Sequence, residues 1–508
     1  MAETKRQESG KVWLVGAGPS DPGLFTLRGK QVLEKADVVV YDALVGEGIL
    51  SMIPAGAERR YVGKHSGSHT LPQEEINRLL VELALEGKRV VRLKGGDPFL
   101  FGRGGEEIES LTKNGIPFEV IPGITSAIAV PAYQGIPVTH RDFCSSIHII
   151  TGHKRSDAEN GIDYEALART EGTLIFLMGV SALPDICRGL LAAGMPAETP
   201  AALLMRGTTA RQRRIVVTLG TLEEEVRRQG SETPAIIVVG EVCGLAEEFS
   251  WFESMPLGGV NVMLTRPEEA ARETVEKLRD LGAEVTAVPM IRTVRRENNT
   301  ALKKALTNLD QYQWLVFTSP AGVRIFFEEL SERKLDVRKL GSVRFAALGP
   351  GTGRELSARG LYADLMPDIY DGEHLGEALA GAGEPGDRVL IPRAAVGNEE
   401  LVEKLADMTV DDIPTYDTVF EPVEEEERYR AELENGEIDY VLFTSSSCVR
   451  GFAAAFAGMD FSGIRAVCIG KQTMAAAEES GMQTYVADEA DIDSLIGCLL
   501  QAHQSRKA

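Results

Sequence analysis

The chain has 508 residues, of which 44% are hydrophobic and 26% are charged, and at about 150 residues per domain this length predicts three to four domains. Its 76 acidic and 54 basic residues give a net charge of −22, which argues against binding to duplex nucleic acid because such binding needs a basic face. No apolar run approaches the roughly 20 residues that span a bilayer, and the N-terminus has no secretory h-region, so we expect a cytoplasmic protein. The six cysteines form no C-x-x-C motif and no cluster with histidine, so we expect reduced thiols and no metal site.

The first half alternates short apolar runs typical of strands with longer runs typical of helices. Strands are predicted at 11–15, 38–41 and 89–94, and helices at 24–36, 71–86 and 105–114. This alternation predicts an α/β fold with a mainly parallel sheet and binding loops at the carboxyl ends of its strands. A second α/β block is predicted over 147–240, with strands at 147–151, 174–178 and 235–239, followed by a linker at 247–259.

The second half repeats three strand–helix units in the same order. The similar pairs are 260–267 with 388–393, 314–319 with 440–445, and 344–349 with 465–470. We interpret this repeat as two similar α/β lobes with a cleft between them, and a generic likeness between strand–helix units is the alternative.

The first predicted strand runs into Gly16-Ala17-Gly18-Pro19-Ser20-Asp21, which looks like the start of a dinucleotide-binding fingerprint. Asp37 or Asp42 follows about where a ribose contact would lie. However, Asp21 would face the pyrophosphate, and Pro19 lacks the N–H that an anion needs. A positively charged cofactor without phosphate fits better, and a tight structural turn is the alternative.

A glycine-dense segment covers residues 90–107. Its glycines follow a predicted strand, where they allow the backbone to approach a ligand closely. Asp97 is a natural acceptor for ribose hydroxyls or an amine, and Arg103 and Glu106 lie three apart near a helix start, where both could reach one pocket. A purely structural loop is the alternative.

Two further motifs are Ile121-Pro122-Gly123-Ile124-Thr125-Ser126-Ala127 and Gly135-Ile136-Pro137-Val138-Thr139-His140-Arg141-Asp142. Together with the two glycine loops, Tyr41-Asp42 and Val62-Gly63-Lys64, they closely resemble the uroporphyrinogen-III C-methyltransferase family, a group of tetrapyrrole methylases that use S-adenosylmethionine. The resemblance covers residues 11–244 and implies two α/β subdomains, 11–145 and 146–246. It departs at Ser20, where the family usually has glycine, and we expect little effect because serine is small.

The resemblance implies roles for individual residues. Asp42 and Lys64 match the family's proposed proton acceptor and donor, and a base is needed because methylation of a pyrrole carbon leaves a cationic adduct that must lose a proton. The implied contacts to S-adenosylmethionine are Pro19, Gly95, Gly96, Asp97, Leu100, Thr125, Ser126, Met178, Gly207 and Ala235.

The same resemblance places Arg103 and Arg141 at substrate-binding positions and Glu106 near the pyrrole N–H groups. Because the substrate carries eight carboxylates and the protein is anionic, a local group of arginines must bind it with charge-assisted bonds. The alternatives are a surface salt bridge for Arg141, a core position for Met178 and a structural turn for His140.

The predicted strands of the second half end in polar residues, such as Thr265-Arg266, Thr318-Ser319 and Thr444-Ser445-Ser446. Hydroxyl and N–H groups at such ends suit a large anionic ligand in a cleft, and simple helix capping is the alternative. Over residues 260–500 the chain looks like uroporphyrinogen-III synthase. The motifs that carry this likeness are Leu264-Thr265-Arg266-Pro267, Phe317-Thr318-Ser319-Pro320, Gly349-Pro350-Gly351-Thr352, Tyr416-Asp417-Thr418 and Phe443-Thr444-Ser445-Ser446.

That second resemblance implies dehydration and cyclisation of hydroxymethylbilane, with inversion of ring D and without a cofactor. Tyr416 aligns with a family tyrosine proposed to assist loss of the hydroxyl group. Residues implied to line the cleft are Thr352, Thr444, Ser446 and Thr473. The implied lobes have a flavodoxin-like α/β fold and comprise 260–293 with 420–508, and 294–419.

Together, the two resemblances imply a bifunctional, homodimeric enzyme that needs no metal, converts hydroxymethylbilane to uroporphyrinogen III and then methylates this product at C2 and C7 to precorrin-2. Three alternatives stay open: a C-terminal half that only binds a tetrapyrrole, another corrin-pathway methylase, and a nucleotide-dependent oxidoreductase. No nucleic-acid or membrane partner is expected.

Overall fold

The α/β architecture predicted from the sequence is present throughout the computed structural model, which describes residues 10–63, 71–152, 161–397 and 399–507. Twenty strands form four five-stranded sheets within these ranges. The chain forms two compact units, Met1–Asn261 with Lys277–Thr286, and Val262–Glu276 with Ala287–Ala508. Among the described helices, none combines the length and the apolar character needed to cross a membrane.

The first sheet is fully parallel and has the strand order β3-β2-β4-β1-β5. Its strands are β1 (Lys11–Gly16), β2 (Val38–Tyr41), β3 (Glu58–Tyr61), β4 (Arg89–Lys94) and β5 (Phe118–Ile121). The helices of this part are α1 (Leu27–Leu33), α2 (Glu47–Leu50), α3 (Gln73–Leu85), α4 (Gly104–Lys113) and α5 (Ser126–Tyr133). All five strands therefore end at the same edge of the sheet, where the predicted binding loops lie.

Helix α1 is shorter than predicted because its start is set by a cap. Pro22–Leu24 forms a separate 3₁₀ turn, and the Thr26 hydroxyl then accepts a hydrogen bond from the amide of Gly29. Such a cap satisfies an amide that has no partner inside the helix, so α1 begins at Leu27.

The second sheet has the order β6-β7-β10-β8-β9 and is mostly antiparallel, with only β6 and β7 parallel. Its strands are β6 (Ile147–Thr151), β7 (Thr173–Leu177), β8 (Pro200–Met205), β9 (Arg213–Thr218) and β10 (Ala235–Val239). Its helices are α6 (Tyr164–Ala168), α7 (Leu183–Ala192) and α8 (Leu219–Gln229). The sequence analysis did not predict strands β8 and β9.

The segment predicted as a linker, 247–259, lies within the first unit and packs against helix α5. The Trp251 indole N–H donates to the carbonyl oxygen of Ala132 at 2.8 Å. The rings of Trp251 and Phe252 lie 5.1 and 5.3 Å from the ring of Tyr133. This segment therefore covers the end of α5 rather than serving as a spacer.

The third and fourth sheets have the orders β12-β11-β18-β19-β20 and β13-β17-β16-β14-β15. Their strands are β11 (Asn261–Leu264), β12 (Glu284–Ala287), β13 (Ile291–Arg295), β14 (Trp314–Phe317), β15 (Arg344–Ala347), β16 (Arg388–Ala394), β17 (Thr409–Phe420), β18 (Tyr440–Phe443), β19 (Arg465–Cys468) and β20 (Gln483–Val486). Their helices are α9 (Glu268–Asp280), α10 (Thr300–Thr307), α11 (Pro320–Glu332), α12 (Pro350–Ser357), α13 (Gly372–Ala382), α14 (Glu400–Glu403), α15 (Glu426–Glu434), α16 (Ser446–Ala455), α17 (Lys471–Glu479) and α18 (Ile492–Lys507).

The predicted internal repeat is divided between these two sheets. The repeated pairs β11 and β16, β14 and β18, and β15 and β19 each place one strand in the third sheet and one in the fourth. The same cap also recurs, because Ser319 and Ser445 both accept a backbone hydrogen bond at the start of the following helix.

The first and last strands of the fourth sheet in chain order, β13 and β17, pair with each other. The pairing is antiparallel and involves the last residues of β17. The lobe boundary proposed after residue 293 falls inside β13, and the boundary at 420 falls on the last residue of β17. The assignment of whole lobes stays a prediction.

Candidate active sites

Loops from β1, β4 and β5 meet at the carboxyl edge of the first sheet, hereafter the first-sheet edge. Gly18 and Gly96 exchange two backbone hydrogen bonds, at 3.1 and 2.8 Å. Both glycines have positive φ, 72° and 68°, which other residues rarely adopt. The two glycine loops singled out in the sequence are thus tied to one another.

The glycines at this edge also allow three backbones to touch. A Cβ atom on Gly16 would lie 2.4 Å from the Cα of Gly123, and one on Gly123 would lie 2.1 Å from the carbonyl oxygen of Gly96. Because such distances are far below van der Waals contact, neither Gly16 nor Gly123 accepts a side chain without movement of the loops. The glycines bring the loops together and leave backbone groups at the edge.

Asp97 organises the edge through its carboxylate. One oxygen accepts from the amides of Phe99 and Leu100 at 2.8 and 3.1 Å, and the other accepts from Gly123 at 3.0 Å. The side chain predicted to accept hydrogen bonds from a ligand thus first connects the β4 and β5 loops. Leu100 packs against a core cluster that includes Ala127 of α5.

Asp21 also has a structural role. Its carboxylate caps the 3₁₀ turn through the amide of Gly23 at 2.7 Å and accepts the hydroxyl of Tyr133 at 2.6 Å. Burial and this carboxylate raise the pKa of Tyr133.

Helix α5 begins at the first-sheet edge. The Thr125 hydroxyl caps it by accepting from the amide of Ala127 at 3.3 Å, and Ser126 is its first residue. A Cβ on Gly207 would lie 2.3 Å from a Val130 methyl group of the same helix, so the loop after β8 packs directly on α5.

Met178, Gly207 and Ala235 lie at one edge of the second sheet, hereafter the second-sheet edge. Met178 and Gly207 follow the carboxyl ends of β7 and β8, and Ala235 opens β10, which runs antiparallel between them. Thr208, beside Gly207, donates its hydroxyl proton to the carbonyl oxygen of Pro19. The loop that carries Gly207 therefore contacts the loop that carries Pro19, and Met178 and Ala235 lie along the same edge of the second sheet.

Met178 is 52% exposed, although it follows a strand that is buried throughout. Its φ of 55° turns the chain away from the sheet. The alternative that Met178 is a core residue is therefore wrong.

Asp42 follows β2 at the first-sheet edge and is partly exposed. One carboxylate oxygen accepts from the amide of Leu44 at 3.1 Å, and the other lies 3.2 Å from a terminal nitrogen of Arg92 on β4. Lys64 lies outside the described residues.

Arg103 and Glu106 bind each other in the structure. The guanidinium makes two hydrogen bonds to the carboxylate, at 2.8 and 2.6 Å, and both side chains are at least half exposed. Arg103 has φ of 60° at the start of α4. The spacing of three brings the two side chains together as an ion pair, and their place in a common ligand pocket stays a prediction.

Arg141 is exposed in a turn and forms no salt bridge with any residue that the structure describes. The preceding His140 accepts the amide of Asp142 on its Nδ1 atom at 3.2 Å, and its ring lies 4.9 Å from the ring of Phe143. These contacts agree with a structural role for His140, whereas the guanidinium of Arg141 is available for a ligand.

Tyr416 is a buried residue of β17, and its hydroxyl lies 2.6 Å from the hydroxyl of Ser319. Burial raises the pKa of the phenol. The same serine caps α11. Ser319 was quoted in the sequence motif but was not proposed as a partner of Tyr416, because the two residues are 97 positions apart.

The predicted cleft residues lie at the carboxyl edges of two sheets. Thr352, the third residue of α12, is buried beside the fourth sheet. Thr444 follows β18, Ser446 opens α16, and Thr473 is the third residue of α17, so these three share an edge of the third sheet.

Arg266, after β11, was quoted in two sequence motifs but was not proposed as a site residue. Its Nε atom is buried and has no hydrogen-bond partner among the described residues, whereas Nη1 lies 3.0 Å from the Thr274 hydroxyl. Burial lowers the pKa of Arg266, and Arg324 and Arg354 of the fourth sheet's helices lower it further. Its position within Thr265-Arg266-Pro267 was the available signal.

Comparisons with known proteins assign the N-terminal and C-terminal parts of the chain to two different families. A family model described as Tetrapyrrole (Corrin/Porphyrin) Methylases matches residues 11–223, and one described as Uroporphyrinogen-III synthase HemD matches residues 272–497. A porphyrin biosynthesis protein HemD of Ruminiclostridium josui is 45% identical over 97% of this chain and 98% of its own. A uroporphyrinogen-III C-methyltransferase of Bacillus subtilis is 42% identical over 71% of this chain and 74% of its own.

A crystal structure of uroporphyrin-III C-methyltransferase from Thermus thermophilus, complexed with S-adenosylhomocysteine, is 40% identical, with a TM-score of 0.40. It covers 46% of this chain and 98% of the other. The four sheets and the two family matches define a two-part protein of tetrapyrrole biosynthesis. The chain belongs to the tetrapyrrole methylases through its N-terminal part and to the uroporphyrinogen-III synthases through its C-terminal part.

Proposed function

We propose that the C-terminal part cyclises hydroxymethylbilane to uroporphyrinogen III and that the N-terminal part methylates this product at C2 and then C7, giving precorrin-2. The observation that carries the proposal is the convergence of the first-sheet and second-sheet edges, joined by the hydrogen bond from Thr208 to Pro19. The names of the Bacillus subtilis and Ruminiclostridium josui relatives support the same pair of activities.

S-adenosylmethionine fits the first-sheet edge because that edge offers close backbone approach without a phosphate-binding fingerprint. Gly95, Gly96 and the start of α5 would hold the cofactor, and exposed Met178 would contact it from the second-sheet edge. Bound there, S-adenosylmethionine supplies a methyl group already activated on a sulfonium.

Asp42 is the proposed base for the proton that leaves the methylated pyrrole carbon, with Lys64 as proton donor. The carboxylate has 24% of its surface exposed, so a substrate can reach it, while two contacts fix its orientation. Arg141 and Arg103 are proposed to bind substrate carboxylates, and Glu106 to accept the pyrrole N–H groups. From the family resemblance, we also propose that this part forms a homodimer.

In the synthase part, Tyr416 is proposed to donate its phenolic proton to the departing hydroxyl group of hydroxymethylbilane. The raised pKa keeps the phenol protonated, and Ser319 orients it. Thr352, Thr444, Ser446 and Thr473 would bind the substrate across the cleft without a cofactor.

The test uses the purified full chain with hydroxymethylbilane, with and without S-adenosylmethionine, followed by mass and isomer analysis of the products. We expect the III isomer alone without the methyl donor, and a product with two added methyl groups when it is present. Tyr416→Phe should lower formation of the III isomer while keeping methylation of supplied uroporphyrinogen III.

Formation of only the spontaneous I isomer would identify the C-terminal part as a binding module. A tetrapyrrole left without added methyl groups would refute the methylase assignment, and methylation at other carbons would indicate a different corrin-pathway methylase.

A further inference from the structure

Three charged side chains are buried behind Asp42. Arg92 and Lys94 project from β4, and Glu107 projects from α4, with 4%, 5% and 0% of their side-chain surfaces exposed. Burying ions costs several kcal/mol each, and apolar residues of similar volume usually stabilise a core equally well. The position of this cluster beside the proposed base therefore suggests a role in the reaction.

Arg92 is fixed on both sides. Its Nε atom donates to Glu107 at 3.2 Å, and its Nη1 atom donates to the carbonyl oxygen of Leu93 at 2.7 Å. Its Nη2 atom donates to the second oxygen of Asp42 at 3.2 Å. The guanidinium thus spans from a fully buried carboxylate to the one at the first-sheet edge.

Glu107 is an anchor for this guanidinium. One of its oxygens accepts from Arg92 and also from Lys94 at 2.9 Å and Gln73 at 3.3 Å. The other oxygen is buried and has no hydrogen-bond partner among the described residues. Burial lowers the pKa of Lys94, and Arg92 lowers it further.

We infer that Arg92 is a positioning residue for methyl transfer, which holds the Asp42 carboxylate in the orientation needed to remove the substrate proton. The inference rests on the proposed role of Asp42 as base. The carboxylate follows the end of β2, and without Arg92 only its bond to the Leu44 amide restrains it among the described contacts. A planar guanidinium can bridge two carboxylates at fixed geometry, whereas a lysine ammonium on a flexible stem cannot.

The test is a double-mutant cycle on methylation of supplied uroporphyrinogen III by the full chain, with Arg92→Met, Asp42→Asn and the double variant. We expect Arg92→Met to lower kcat by about 100-fold, with unchanged affinity for S-adenosylmethionine and nearly unchanged KM. In the Asp42→Asn background, Arg92→Met should cause no further loss, because the arginine acts through that carboxylate.

The matched control is Arg89→Met, which removes an arginine from the other end of the same strand. Arg89 also pairs with an aspartate, Asp37, through two hydrogen bonds at 3.0 and 2.6 Å, but this pair lies away from the proposed base. This variant should keep the wild-type kcat, and a loss equal to that of Arg92→Met would overturn the inference.

The possible outcomes separate this inference from the proposed function. If Asp42→Asn keeps its activity, the base role fails and the inference fails with it. If Asp42→Asn loses activity but Arg92→Met does not, or if the two losses multiply, only the positioning role fails. If Arg92→Met does not fold, Arg92→Lys is the deciding variant, because it keeps the positive charge. A kcat at least about tenfold below that of the wild type, with normal affinity for S-adenosylmethionine, supports the inference. Full activity of Arg92→Lys refutes it.

Discussion

Glu119 on β5 accepts hydrogen bonds from three side chains: Lys11 at 2.7 Å, Arg28 at 2.8 Å and Trp13 at 3.0 Å. The two cations and the indole lower its pKa to about 2, from 4.5. Because the folded-state pKa lies below the unfolded one, this carboxylate contributes stability that is complete above about pH 4.5 and is lost as the pH falls toward 2.

We therefore expect Glu119→Gln to lower the free energy of unfolding by about 1 kcal/mol at pH 7, a value kept small because the site is partly exposed. The difference should be constant from pH 8 to pH 6 and should narrow as the pH falls further. Urea unfolding of both proteins, followed by tryptophan fluorescence at each pH, measures this difference in the free energy of unfolding. If the difference in unfolding free energy between the wild type and Glu119→Gln instead grows as the pH falls, the lowered pKa of Glu119 does not stabilise the fold.

Ser20 has φ of 106°, a conformation that L residues rarely adopt, although the small side chain was expected to have little effect. The strained backbone at Ser20 should cost about 1–3 kcal/mol of folding free energy. Glycine removes this strain, but its greater conformational freedom in the unfolded chain offsets part of the gain. We expect Ser20→Gly to raise the free energy of unfolding by about 1 kcal/mol, measured by urea unfolding.

Ser51 is the matched control for this substitution. Its φ of −65° is ordinary helical backbone, so Ser51→Gly should lower stability. Equal effects at the two serines would show that the backbone at Ser20 is not strained.

At the scale of elements, the contact among the loops after β1, β4 and β5 depends on glycine. Gly123→Ala would place a Cβ 2.1 Å from the carbonyl oxygen of Gly96 and force the loops apart. We expect it to weaken S-adenosylmethionine binding by more than about 100-fold while the synthase reaction continues, since one misplaced ångström can cost this much. Isothermal titration and the isomer assay measure the two effects.

Gly105 provides the control for that prediction. It lies in α4, and a Cβ there would have no atom within 4 Å. Gly105→Ala should leave binding unchanged and should stabilise the helix by up to about 1 kcal/mol. Equal loss of binding in both variants would disprove the role of loop contact.

The elements that the sequence predicted correctly are those with strong local signals. β2, β4, β6 and β10 have the predicted bounds, because their apolar runs are flanked by loop residues. β8 was missed because its Pro-Ala-Ala-Leu-Leu-Met run has little β-propensity, and β3 because a charged edge strand lacks the apolar pattern.

The candidate site was predictable only as separate loops. Glycine motifs and family resemblance identify the residues at the first-sheet edge, but they carry no information about side-chain partners far apart in sequence. The contacts of Arg92 with Asp42, 50 positions away, and of Tyr416 with Ser319, 97 positions away, follow from strand order. Strand order is a property of the folded chain.

At the scale of the whole molecule, the two activities belong to different families, and the product of one is the proposed substrate of the other. If uroporphyrinogen III diffuses between them, a mixture of Asp42→Asn and Tyr416→Phe chains should form precorrin-2 from hydroxymethylbilane. Each variant alone should form far less. Product analysis after mixing checks this, and a mixture no better than its components would show that the intermediate stays within one chain.

The antiparallel pairing of β13 with β17 has a consequence for how this chain could have arisen. Ile291 pairs with Phe420, and beyond them the amide of Glu421 donates to the carbonyl oxygen of Met290 at 3.0 Å. The whole fourth sheet is therefore formed by one continuous segment, 291–420, whose two junctions with the rest of the chain lie next to each other. Recombination at these junctions could add, remove or exchange it while the host domain closes with a single short turn.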